Sequence, residues 1–189
     1  MLNSIESGRG ETVILVHGMA ASLHDWEAWM PRLTSSGYRS VAVDLLGHGD
    51  SPKPTDVCHY TIPGVYATFE DWIWGLNLKS PLNLISHSLG GYLSLEFSRK
   101  HPELVNKVVL INPFLKSDQL SPGLRLLRKT SAISTRLLYL APFSLLQALV
   151  LLSPVYMKGF SPQARQQIAI DLKRASPQIL NLARDVPDL

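Results

Sequence analysis

An α/β chain built on a parallel sheet is what this sequence predicts, on three observations. Short apolar runs alternate with longer amphipathic ones over residues 1–113. The clearest of these runs are continuous rather than alternating, the mark of strands buried on both faces. The spacing between runs leaves room for a helical crossover, and such crossovers are right-handed and set neighbouring strands parallel. The chain has 189 residues, 46% hydrophobic and 17% charged, ample for one soluble domain with an appendage.

Taken in order, Thr12 to His17 reads as the first strand, closed by Gly18, and Trp26 to Leu33 as a helix. Ser40 to Leu45 is the second strand, ended by the turn Gly47-His48-Gly49-Asp50. A helix over Val65 to Leu76 leads to a strand at Leu82 to Ser86. A helix over Leu89 to Lys100 leads to a fourth strand at Lys107 to Asn112. After Pro113 the strand signal stops, dividing the chain into a core at 1–113 and an all-helical region at 114–189. Ser121-Pro122, Ser161-Pro162 and Ser176-Pro177 each set a capping hydroxyl before a proline suited to the first helical position. Leu137 to Met157 carries no charge, but prolines and polar residues leave only Phe143 to Leu152 unbroken. That is far short of the roughly 20 residues a bilayer span needs, so the stretch reads as a buried helix face or the lining of a greasy pocket.

Charge and cysteine narrow the classes further. Residues 1–113 hold 8 basic and 11 acidic side chains, while 114–189 hold 10 and 4. The basic excess is spread at helical spacing, which describes solvated helix faces rather than a nucleic-acid patch. One cysteine, Cys58, makes neither an internal disulfide nor a thiolate metal cluster. Together with a polar Met1 to Gly10 that lacks a signal-peptide core, it fits a reducing cytoplasmic setting.

The segment Leu84-Ile-Ser-His-Ser88-Leu-Gly-Gly91 carries the chemistry. A strand runs through a tight turn into a helix with Ser88 at the apex, the geometry of a nucleophile elbow. Backbones approach closely there, so the residues two before and two after the serine must be small, and Ser86 and Gly90 are. Gly91 then lets the helix sit close to the sheet. The helix N-terminus offers N–H groups and a positive dipole end to an oxyanion. Leu89 N–H supplies one donor for a developing oxyanion, and Met19 N–H, in His17-Gly18-Met19-Ala20, supplies the other. His17 is better read as a buried histidine holding its loop, and Asp44 and His48 as turn-forming residues, than as catalytic groups.

Three motifs, HGMAAS from His17 to Ser22, DLLGHGDS from Asp44 to Ser51 and SHSLGG from Ser86 to Gly91, occur in an order and spacing that resembles the α/β-hydrolase fold family. The resemblance covers roughly residues 8 to 189 and is to the serine hydrolase branch with a helical cap. It implies that the four strands lie in the spatial order 4-3-5-6 of that fold, with a ligand-binding switch point between the strands ending at His17 and Ser86. It implies a serine hydrolase acting on a small carboxylic ester, thioester or related acyl bond, needing no metal or organic cofactor. A serine at position 88 sets the chain apart from dehalogenase and epoxide-hydrolase relatives, which carry Asp there.

The resemblance also implies a histidine base and an acid following the serine. His101 is the only histidine after Ser88, and at about 1.5 Å per helical residue it lies about 20 Å away. Asp118, after the fourth strand, is the candidate acid, set against a reading as a solvated loop carboxylate. Asp171, Asp185 and Asp188 read as surface charges. The fold is therefore expected to be incomplete at both ends, with too little chain before the first strand for the usual opening hairpin. This chain is expected to be weakly active or inert, and its open outer strand to promote self-association. The alternative is a non-catalytic α/β-hydrolase-like protein that binds a hydrophobic ligand or a partner.

Overall fold

The computed structural model describes residues 1–78, 81–116 and 158–183. Five strands form one sheet in the order β1-β3-β2-β4-β5. They are β1 (Ser4–Ser7), β2 (Thr12–Val16), β3 (Arg39–Val43), β4 (Leu82–His87) and β5 (Val105–Ile111). β2 pairs in parallel with both β3 and β4, and β4 with β5, so the four expected strands stand in the expected order.

The fifth strand corrects the sequence reading. β1 pairs antiparallel with β3, with Ile5 opposite Ala42, where only a polar lead-in was expected. It escapes a hydrophobic pattern because it is an edge strand mostly open to solvent, with Ile5 itself 39% exposed. Backbone pairing and the Arg39–Glu6 contact at 2.5 Å hold it instead.

Two helical layers cover the sheet. Ile14 and Val16 of β2 join a core with Phe69 and Trp72 of α2 (Ile62–Gly75) and Leu93 and Phe97 of α3 (Leu89–Lys100). Val13 and Leu15, on the opposite face, pack with Leu23, Trp26 and Met30. Each fully buried aliphatic or aromatic side chain of this kind contributes about 1.5–3 kcal/mol. The helix expected from Trp26 is displaced: a 3-10 turn over Leu23–Trp26 comes first, and α1 spans Met30–Ser35. Pro31 explains the shift, because a residue without an N–H sits well only in a helix's first turn.

Beyond the sheet, α4 (Pro162–Arg174) begins where Ser161-Pro162 predicts, with Ser161 Oγ accepting from Ala164 N at 3.2 Å. A 3-10 segment follows over Pro177–Ala183. Ser176 N donates to Gly47 O at 2.7 Å, and Ala175, Ile179 and Leu182 are buried in the main core. Asp171 of α4, expected at the surface, is buried against the loop after β2. Among the described residues no helix is long and apolar enough to cross a membrane. Asp118, Asp185, Asp188, Ser121-Pro122 and the Leu137 to Met157 stretch lie outside the described residues.

Candidate active site

Parallel pairing aligns the carboxyl ends of β2 and β4, with Val16 opposite Ser86, and this brings the loop after β2 beside the turn before α3. Ser88 is the single residue between β4 and α3, and its backbone is left-handed, with φ 51° and ψ −115°. A non-glycine residue there carries strain of about 1–3 kcal/mol, which the surroundings must hold in place. They do so through the backbone. Ser88 N donates to Ile111 O at 3.2 Å, and Ser88 O accepts from Gly91 N, Tyr92 N and Phe114 N at 3.0, 3.3 and 3.0 Å.

The small residues around Ser88 are dictated by the same crowding. A Cβ on Gly90 would stand 2.6 Å from the carbonyl oxygens of both Val16 and His17. One on Gly91 would meet Pro113 Cβ at 2.9 Å. Ser86, where the usual motif has glycine, is fully buried with its hydroxyl 2.5 Å from that of Ser94 on α3. That partner is what lets a hydroxyl occupy the position.

The facing loop is built from side chains. His17 Nδ1–H donates to Gly18 O at 2.6 Å and its Nε2 accepts from Leu45 N at 3.0 Å. His48 Nδ1–H donates to Leu46 O at 2.9 Å and its Nε2 accepts from Ala20 N at 3.0 Å. Both rings are fully buried, and burial above all pushes their pKa values down, to about 4 for His17 and about 3 for His48. Asp44 Oδ1 accepts from Leu23 N, and its Oδ2 from Asn3 Nδ2 and Asp50 N. The structural roles expected of His17, Asp44 and His48 are thus the ones observed.

Gly18 lets the two walls touch, since a Cβ there would stand 3.0 Å from both Ser88 Cβ and His87 Nδ1. Among the described residues, the N–H groups of Met19 and Leu89 have no hydrogen-bond acceptor, and Ser88 Oγ has no hydrogen-bond partner. Two N–H donors without an acceptor among the described residues, on facing walls with a half-buried hydroxyl, are some of the parts that an acyl transfer uses.

No base is among these parts. All six histidines lie in the described residues. His17 and His48 have both ring nitrogens engaged in their loops. His24 pairs with Glu27, His101 with Glu70 at 2.8 Å beyond the end of α3, and His59 is exposed on the 3-10 turn Val57–His59. His87 rests against Gly18, its pKa lowered by burial, and makes no hydrogen bond with Ser88. A polar contribution that the sequence did not reveal is Asp171, whose Oδ1 accepts from Ser22 Oγ at 2.8 Å across 149 positions.

Comparison with known proteins bears on the same region. A family model described as the alpha/beta hydrolase fold matches residues 11–134. A 2-hydroxy-6-oxo-6-(2'-aminophenyl)hexa-2,4-dienoic acid hydrolase of Metapseudomonas resinovorans is 36% identical over 110 residues, covering 57% of this chain and 37% of that protein. A probable lysophospholipase, BODYGUARD 4 of Arabidopsis thaliana, is 35% identical over 104 residues, covering 54% and 25%. The bifunctional epoxide hydrolase 2 of Sus scrofa is 31% identical over 118 residues, covering 62% and 21%. The matches thus span well under half the length of these relatives. Among solved structures, a hydrolase from Pseudomonas aeruginosa superposes with a TM-score of 0.76 at 20% identity, over 98% of this chain and 68% of that one. A mutant epoxide hydrolase from Bacillus megaterium gives 0.75 at 23%, over 97% and 68%, a likeness of fold alone. The strand order, the strained turn at Ser88 and the match over residues 11–134 lead to one conclusion: this chain belongs to the α/β-hydrolase fold family.

Proposed function

We propose that Ser88 is the nucleophile of a hydrolase acting on a small carboxylic ester, thioester or related acyl bond. The observation that carries this reading is the left-handed Ser88 at the β4–α3 turn, flanked by the unengaged N–H groups of Met19 and Leu89. Ser88 Oγ attacks the acyl carbon as its proton passes to a base, and Met19 and Leu89 N–H groups hold the oxyanion that forms. Collapse breaks the bond to the alcohol or thiol, which leaves with the proton, and water then cleaves the acyl-serine to the carboxylic acid and free Ser88. Residues 114–189 act as a cap over the core of residues 1–113 and select the acyl group. Asp118 is the candidate acid. A serine hydroxyl needs an imidazole to take its proton, and none of the six histidines hydrogen-bonds to Ser88 Oγ, so these 189 residues alone turn over slowly. The lone, exposed thiol of Cys58 suits a cytoplasmic protein.

A fluorophosphonate tests the nucleophile directly, since Ser88 Oγ displaces fluoride and loses its proton to an added base. Peptide mass mapping is expected to find the adduct on Ser88, formed at least ten-fold faster with imidazole present and absent from Ser88→Ala. No adduct at Ser88 with imidazole present overturns the reading. Brisk p-nitrophenyl acetate turnover without imidazole, abolished by Ser88→Ala, would instead show that one of the six histidines serves as base.

A second reading, a non-catalytic protein binding a hydrophobic ligand or partner, is favoured by β5. It lies at the edge of the sheet with Val109 51% and Ile111 36% exposed. Self-association through that edge follows from either reading, and a sedimentation profile that stays monomeric with rising concentration counts against it.

A further inference from the structure

We infer that Asp171 is a positioning residue: through Ser22 it couples the docking of α4 to the loop that carries Met19 N–H. This rests on the proposed role of Met19 as an oxyanion donor. Between β2 and the following turn, the loop is tied to the core by three side chains, His17, His48 and Asp44. The fourth tie comes from α4, where Asp171 Oδ1 accepts from Ser22 Oγ at 2.8 Å and from Gln167 Nε2 at 2.9 Å.

Three features make this more than a packing contact. Asp171 is 2% exposed, and no lysine or arginine pairs with it among the described residues, so the carboxylate depends on neutral donors. Ser22 is itself fully buried and caps the turn at Leu23–Trp26 by accepting from His24 N. Its one hydroxyl therefore serves two partners, the turn and α4. The reporting residue is close by, since Met19 lies between Gly18, against the nucleophile wall, and left-handed Ala20. When α4 lifts, Ser22 loses the acceptor that orients it, and the loop relaxes where the donor sits.

The test measures amide exchange of the 189-residue protein together with fluorophosphonate labelling of Ser88 in imidazole. Asp171→Leu and Ser22→Ala are expected to speed exchange at Met19 to Leu23 at least ten-fold and slow labelling by a similar factor, with Val13 to Leu15 unchanged. Asp171→Asn keeps an acceptor oxygen for Ser22 and is expected to stay within about three-fold of the parent in both. Faster exchange in α4 with no change at Met19 to Leu23 overturns the coupling, as does Asp171→Asn behaving like Asp171→Leu. Ser22→Ala guards against Asp171→Leu failing to fold. If the parent is not labelled at Ser88, the nucleophile reading has failed, and the exchange pattern alone decides whether Asp171 positions the loop.

Discussion

The two walls of the site are held by different means. The Ser88 wall is set by backbone: four main-chain hydrogen bonds at Ser88 and a glycine whose missing Cβ leaves space for two carbonyl oxygens. The Met19 wall is set by side chains arriving from elsewhere, His48, Asp44 and Asp171. Steric change therefore threatens the first wall, and change of protonation or hydrogen-bonding capacity threatens the second.

That contrast breaks most sharply at Gly90. Gly90→Ala puts a methyl 2.6 Å from two main-chain oxygens, and an overpacked backbone cannot move aside. A loss of about 3–4 kcal/mol is expected, seen as a thermal midpoint lower by about 6 to 16 °C. A midpoint unchanged would mean that α3 slides freely on β2 and that the first wall is not rigid.

Acid probes the second wall. His17 and His48 have folded pKa values of about 4 and about 3, below their ordinary 6.5, so the unfolded chain binds protons that the folded chain refuses. Their stabilising contribution is complete above about pH 6.5 and declines as pH falls, by about 1.4 kcal/mol per pH unit for each ring. Asp171 works in the opposite sense, since burial raises its carboxyl and protonation relieves that cost. The net expectation is a denaturation midpoint falling steadily from pH 7 to pH 5, less steeply in His48→Gln. An equal slope in that variant would remove His48 from the account.

A smaller effect is expected from Asp44→Asn, which turns one acceptor oxygen into a donor facing Leu23 N or the Asn3 and Asp50 donors. A loss of about 2 kcal/mol in urea unfolding is expected. Smallest is Arg39→Ala, which removes an exposed ion pair with Glu6 from the rim of the sheet and should cost about 0.5 kcal/mol or less. If it costs as much as Asp44→Asn, β1 is pinned by that pair rather than by its backbone.

The same contrast explains what was legible in the sequence. The Ser88 wall is local: strand, small residues, serine and helix follow one another from Leu82 to Lys100, and the helix bounds match the expectation at both ends. The inner strands β3, β2 and β4 were visible because burial on both faces demands apolar runs such as Thr12–Val16. The second wall was legible only where short-range chemistry marked it, as in the turn around Asp44 and His48. The Ser22–Asp171 contact leaves no local pattern, because a buried aspartate on α4 has the same letter as a solvated one. β1 was missed for a related reason, since edge pairing uses main-chain groups that every residue carries.

The position of β2 at the centre of the sheet has a consequence for biosynthesis. Both of its hydrogen-bonding partners lie downstream, β3 ending at Val43 and β4 at His87. Its five residues, all buried in the finished protein, leave the ribosome with neither neighbour made. At about 5–20 residues per second the second neighbour follows roughly 4 to 14 s later. For that interval an apolar segment that lacks at least one neighbour, and until Val43 lacks both, is offered to chaperones and to other nascent chains, and slowing translation between residues 44 and 87 lengthens it.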